Sequence, residues 1–83
     1  MTLSILVFAS LREQLGRGQI SLAIDLPCDV ATLKQGLAKQ YPVIATAERN
    51  GALLVAVNQQ MAGDEAMVAV GDEVALFPPV TGG

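Results

Sequence analysis

With 83 residues, 52% of them hydrophobic and 16% charged, the chain has material for one core and no more: a domain this small hides only about 60% of its unfolded surface, and its composition is too apolar for a disordered chain. The net charge of −3, with Arg12, Arg17, Lys34, Lys39 and Arg49 as the only cations, offers no basic stripe to neutralise phosphates, which excludes nucleic acid as a partner class. No apolar run has the length that crosses a bilayer, and the opening residues lack the basic lead of a secretory signal, so no membrane partner and a cytoplasmic location are expected.

Residues 2–9 begin with polar and apolar residues in alternation and are rich in Ile, Val and Phe, which predicts a strand. Ser10 and Glu13 then stand at capping-box spacing, so a short helix is expected to start at Ser10 and to end on Gly16 and Gly18. Gly16-Arg17-Gly18 reads as a turn; as a phosphate cradle it lacks the third glycine and the strand-to-helix setting.

From 19 to 26 the period is two, with Ile20, Leu22, Ile24 and Leu26 on one face, which predicts an antiparallel partner for the first strand. Asp29 occupies an N-cap position, and Val30, Leu33, Leu37 and Tyr41 recur at helical spacing until Pro42 ends the pattern. This is the main helix, and Gly36 inside it implies close packing on the sheet. Residues 43–52 read as a connection that closes on Asn50-Gly51. Strands follow at 53–57, at 60–61 along an edge, and at 73–77 after a Gly71-Asp72 turn. One mixed sheet covered by one helix buries these stripes most economically, an α+β architecture.

Cys28 is the single cysteine and there is no histidine, so neither an internal disulfide nor a zinc or iron–sulfur site can be assembled, and the usual general base is missing. Cys28 itself reads as a small buried hydrophobe beside Pro27, with a sulfur-relay role as the alternative.

Strand parity separates the faces. Val74 and Leu76 point toward the helix, while Glu73, Ala75 and Phe77 point away; Thr2 and Ser4 mark the outward set of the first strand, which puts Leu6 and Phe8 outward too. Two phenylalanines on the solvent side of neighbouring strands suggest a docking face; the alternative is that both fold over into the core.

Pro78 and Pro79 end regular pairing and favour a stiff extended exit. The segment 78–83 can reach about 20 Å, and Gly82 and Gly83 carry no side chain. A body over 1–77 and a flexible C-terminal diglycine tail over 78–83 are therefore expected; an ordinary frayed terminus is the plain alternative.

Three stretches, ILVFASLREQLG at 5–16, VAVNQQ at 55–60 and GDEVALFPPVTGG at 71–83, resemble the family of molybdopterin synthase small subunits, sulfur carriers of molybdenum cofactor biosynthesis. The resemblance implies a ubiquitin-like β-grasp fold whose Gly83 is adenylated by an E1-like activating enzyme that uses ATP, and is then converted to a thiocarboxylate with sulfur from a donor. The tail would enter the large subunit of a heterotetrameric synthase and give its sulfur to the cyclic pyranopterin precursor, with no tightly bound cofactor and no metal on this chain. It further implies Gly82 and Gly83 as the reacting tip, Phe77, Pro78, Pro79, Val80 and Thr81 as the inserted arm and its root, and Phe8, Arg12 and Met61 as contacts for the large subunit. A thiamine-pathway sulfur carrier, a ubiquitin-like protein modifier and a passive interaction module remain open as alternatives.

Overall fold

The computed structural model describes residues 1–79, so the expectations for Val80, Thr81, Gly82 and Gly83 lie outside the described residues. Strand β1 (Thr2–Val7) turns through helix α1 (Ala9–Leu15) into strand β2 (Gln19–Ala23), which pairs with it antiparallel from Thr2 opposite Ala23 to Leu6 opposite Gln19. Strand β3 (Cys28–Asp29) leads into helices α2 (Val30–Gln40) and α3 (Pro42–Arg49). Strands β4 (Leu54–Val57), β5 (Gln60–Met61), β6 (Met67–Val68) and β7 (Val74–Phe77) complete the described chain. The sheet order is β2-β1-β7-β4-β5, with β7 parallel to β1 and antiparallel to β4, and β3 with β6 form a separate two-stranded sheet. This is the expected α+β β-grasp arrangement, with the last strand beside the first.

The core lies between the inner sheet face and the helices. Ile5 and Val7 from β1, Leu33 and Leu37 from α2, Ile44 from α3 and Val74 and Leu76 from β7 are almost fully buried, and together with the other apolar side chains they remove from water the surface that drives folding. Asp29 caps α2 as expected: its Oδ1 accepts from the Thr32 backbone N–H at 2.8 Å. A Cβ added at Gly36 would stand 3.2 Å from Leu22 Cδ2, so the glycine is what lets α2 lie close on β2. At the end of α2 the Tyr41 hydroxyl donates to the Ser21 carbonyl oxygen at 2.9 Å, tying the helix to the sheet edge. On the opposite flank Lys34 reaches Asp64 at 2.7 Å and Glu48 at 3.3 Å, joining α2 to α3 and to the loop after β5.

Four expectations are corrected. The segment 43–52 is mostly helix, so the sheet is covered by more than one main helix: Pro42 sits at the first position of α3, where its missing N–H costs nothing and its fixed φ favours the turn. Val43, Ile44 and Ala47 then give α3 its inward face. Ser10 caps nothing, because α1 begins one residue earlier with Phe8 at the N-cap and no side-chain cap bond. The left-handed residue ending α1 is Gly16 alone, at φ 76° with its N–H on the Arg12 carbonyl oxygen. The second strand ends at Ala23, although the Ile24 N–H still donates to the Met1 carbonyl oxygen at 2.9 Å. The small β3–β6 sheet was unforeseen, since two-residue strands carry no measurable period.

Among the described residues, no helix is long and apolar enough to cross a membrane.

Candidate functional site

The outer face of the sheet follows the strand parity. Leu6 on β1 stands opposite Ala75 on β7, Ala75 opposite Ala56 on β4, and Ala56 opposite Met61 on β5, so one row of outward side chains crosses four strands. Two alanines in the middle of that row leave a trough between larger neighbours. Its walls are Phe8 and Phe77 toward one end and Gln59 and Glu73 toward the other, and the groove so formed measures about 340 Å³. Phe8 is 46% and Met61 61% exposed, which settles the two readings of the phenylalanines: Phe8 stays outside the core, and Phe77 is half-buried along the groove wall.

Backbone geometry holds these walls in place. Phe8 is extended, its N–H donating to the Leu76 carbonyl oxygen at 3.0 Å and its C=O accepting from Arg12 N–H at 3.3 Å, and Ala9 then turns the chain into α1 at φ 55°. At the other end Asn58 and Gln59 have φ of 53° and 68°, the paired positive angles of a two-residue hairpin turn, which place Met61 and Gln59 beside the trough. The non-glycine residues with positive φ among those described are these three: Gln59 lines the groove itself, and Ala9 and Asn58 each follow or precede a lining residue in the chain. Such conformations cost about 1–3 kcal/mol each and persist where the surroundings hold them.

Here the surroundings are explicit. Asn58 N–H donates to the Glu73 carbonyl oxygen at 2.7 Å, while Asn58 Oδ1 accepts from Glu73 N–H at 3.0 Å. Asn58 Nδ2 donates to Asp72 Oδ1 at 3.1 Å, and Asp72 Oδ2 accepts from Ala69 N–H at 2.8 Å. The Ala69 N–H first, and the Asn58 amide after it, stabilise the carboxylate and hold Asp72 below the usual carboxylate range.

Phe8, Met61 and Phe77 thus converge on one surface, and parity had already marked Leu6, Ala75 and Glu73 as outward. Ala56 and Gln59 were missed; only the hairpin register, signalled weakly by Asn58, brings them there. Arg12 does not join the groove: it lies exposed on α1 and lines a separate shallow recess with Glu13 and Arg17, its guanidine stem over Gly18. Pro78 faces the other side of the sheet, against α1 and α3, and Pro79 is half-buried. Cys28 is buried on β3, and burial followed by the nearby Asp29 charge pushes its thiol pKa up, the opposite of an activated sulfur. The groove therefore has the chemistry of recognition: apolar area with one carboxylate and one amide at its rim.

Residues 5–83 match the model of the ThiS family. The chain is 43% identical over 81 residues to the molybdopterin synthase sulfur carrier subunits of Escherichia coli K12 and of Haemophilus influenzae, covering 98% of this chain and 99% of each of theirs. Among solved structures, the crystal structure of SAMP1 from Haloferax volcanii is similar with a TM-score of 0.82 at 28% identity, covering 100% of both chains.

Proposed function

The chain belongs to the ThiS family, and from that premise we propose that it is the sulfur carrier of a molybdopterin synthase. The observation that carries this reading is the near-full-length identity to bacterial sulfur carrier subunits; the apolar outer groove supports it by supplying a face on which larger partners can hold the body while they work on the arm.

On this reading the chain is a tethered substrate. A free α-carboxylate, with a pKa of about 3.3–3.7, is an anion at neutral pH and a poor acyl electrophile. The Gly83 carboxylate attacks the α-phosphorus of ATP on an E1-like enzyme, releasing pyrophosphate and leaving an acyl-adenylate. Sulfur at the hydrosulfide level, delivered by a donor, attacks the acyl carbon and displaces AMP, and loss of its proton leaves the terminus a thiocarboxylate. The large synthase subunit takes the arm, the thiocarboxylate sulfur bonds to the cyclic pyranopterin precursor, and water cleaves the acyl–sulfur bond and restores the Gly83 carboxylate. The absence of side chains at Gly82 and Gly83 suits a narrow channel, and Pro78 to Thr81 form the stem. The groove around Phe8, Met61 and Phe77 holds the body in register so that the tip reaches the reacting atoms. Acids, bases and anion-binding groups come from the partners.

The test is intact-mass spectrometry after incubation with the activating enzyme, ATP and a sulfur donor. Exchange of one oxygen for sulfur at the terminus, followed by loss of that sulfur in the presence of the large subunit and precursor, supports the reading. A terminus that stays a carboxylate overturns it. The likeness to an archaeal SAMP1 structure favours a second reading, a protein modifier, which the same enzyme mixture would reveal as Gly83 joined to lysines of other proteins.

A further inference from the structure

We propose that the hollow between α1 and α3 is a second docking surface, which receives an uncharged loop of the large synthase subunit as that subunit closes around the arm. The proposal rests on the sulfur-carrier reading and extends it to a face the groove does not include.

The path of the chain supplies the first argument. Side chains alternate along β7, so Phe77 lies on the outer face and Pro78 on the helix side. Consecutive residues therefore wall two different recesses, Phe77 the outer groove and Pro78 a hollow of about 480 Å³ between α1 and α3. The arm leaves the body between them. A partner that encloses the arm from its root meets both recesses at once, and contact on one side alone would leave the other wall of the exit in water.

The lining supplies the second. Leu11 and Ala47, only 2% and 9% exposed, bring core residues to the hollow's surface, and Val43, Ala52 and Pro78 extend the apolar lining. Around them stand Ser10, Gln14, Thr46 and Asn50, all exposed and all neutral. None of the chain's eight acidic or five basic side chains lines the hollow. A charged group entering it would lose hydration with no counter-charge to replace it. Aliphatic side chains, by contrast, meet apolar walls, and the backbone or amide groups that accompany them meet hydroxyls and amides. The hollow thus complements a loop of small aliphatic and neutral polar residues. The outer groove differs in carrying Glu73 at its rim.

The experiment uses the full chain and the large subunit. Thr46→Arg places a long cation over the hollow from an exposed helical position, Gln14→Glu adds charge there with almost no bulk, Phe77→Arg blocks the groove, and Gln35→Arg on α2 serves as the control. Folding is checked by thermal melting and binding by calorimetry. Thr46→Arg and Gln14→Glu are each expected to weaken complex formation by roughly tenfold or more, and Gln35→Arg to leave it unchanged. If both hollow variants bind as tightly as the parent while Phe77→Arg does not bind, the second surface is refuted and the groove stands. If Phe77→Arg also binds normally, it is the groove that fails. Self-association of the isolated chain, lost in Thr46→Arg, would make a second copy the occupant and overturn the proposal. Should Thr46→Arg fail to fold, Gln14→Glu decides alone.

Discussion

The backbone N–H of Phe8 donates to the carbonyl oxygen of Leu76 at 3.0 Å, one step past the pairing of Val7 with Leu76 in the parallel β1–β7 ladder. Phe8, which leads into the first helix, is therefore fixed to β7, the strand that leads to Pro78 and Pro79. The two outward phenylalanines belong to one rigid junction, so a partner that recognises Phe8 also knows where the sheet gives way to the two prolines.

Phe77→Arg should abolish binding to the large subunit while the isolated domain stays folded, because the residue borders the outer groove and is not among the fully buried side chains. Calorimetric titration beside a thermal melt separates the outcomes. An unfolded variant would return Phe77 to the core.

Gln59→Gly should stabilise the protein by about 0.5–1 kcal/mol, since Gln59 holds a left-handed backbone that glycine adopts without steric cost, partly offset by the greater freedom of an unfolded glycine. Asn58→Ala should do the reverse by about 1–2 kcal/mol, through loss of the side-chain bonds to Glu73 N–H and Asp72. Urea titration measures both, and equal effects of the two substitutions would contradict the account of this turn.

Stability should rise with pH through the acid range. Hydrogen bonds from Thr32, its side chain first and its backbone N–H second, lower the pKa of Asp29, and those from Ala69 N–H and Asn58 lower that of Asp72. Each carboxylate's folded pKa lies below the ordinary 3.8, so the unfolded chain binds more protons in that window. The stabilisation is fully present above the unfolded value and is lost as pH falls through the folded one. Asp29→Asn with Asp72→Asn removes both titrations, at the cost of one of the two bonds that Asp72 accepts, and should reduce the acid-side slope of the melting temperature between roughly pH 2 and 5.

At the alkaline end Lys34 reverses the sign. Burial alone would lower its pKa, but hydrogen bonds and attraction from Asp64 and Glu48 raise it above 10.5. Its contribution is complete below that value and disappears as pH rises through the folded one. Lys34→Met should remove this alkaline slope in thermal melts.

Gly36→Val should cost about 1–3 kcal/mol, because even a Cβ stands 3.2 Å from Leu22 and the branch adds more bulk against β2. Chemical denaturation checks it, and a neutral result would mean that α2 can move away from the sheet.

Much of this architecture was legible in the residues. Asp29 with Val30, Leu33 and Leu37 announced α2, and the alternation ending in Phe77 announced the outer face, because each signal repeats often enough to declare a period. Pro42 was ambiguous: the residue that ends one helix also opens the next, and α3 is too short for its apolar stripe to outweigh the proline. Ala56 and Gln59 could be placed only after the β4–β5 register was known. Arg12 shows a different limit, since its direction depends on Leu11 turning into the core and on the backbone at Ala9, which sequence spacing does not encode.

The middle of the sheet belongs to β7, which joins β1 to β4 and pairs Val74 with Ile5 across nearly the whole chain. Contacts this distant in sequence form late, so on a ribosome the body cannot close until Val74–Phe77 has emerged. The closing strand and the two prolines that follow it are one continuous segment. A nascent or half-unravelled copy consequently offers a partner no assembled handle, and a complete outer groove becomes a built-in report that folding is finished.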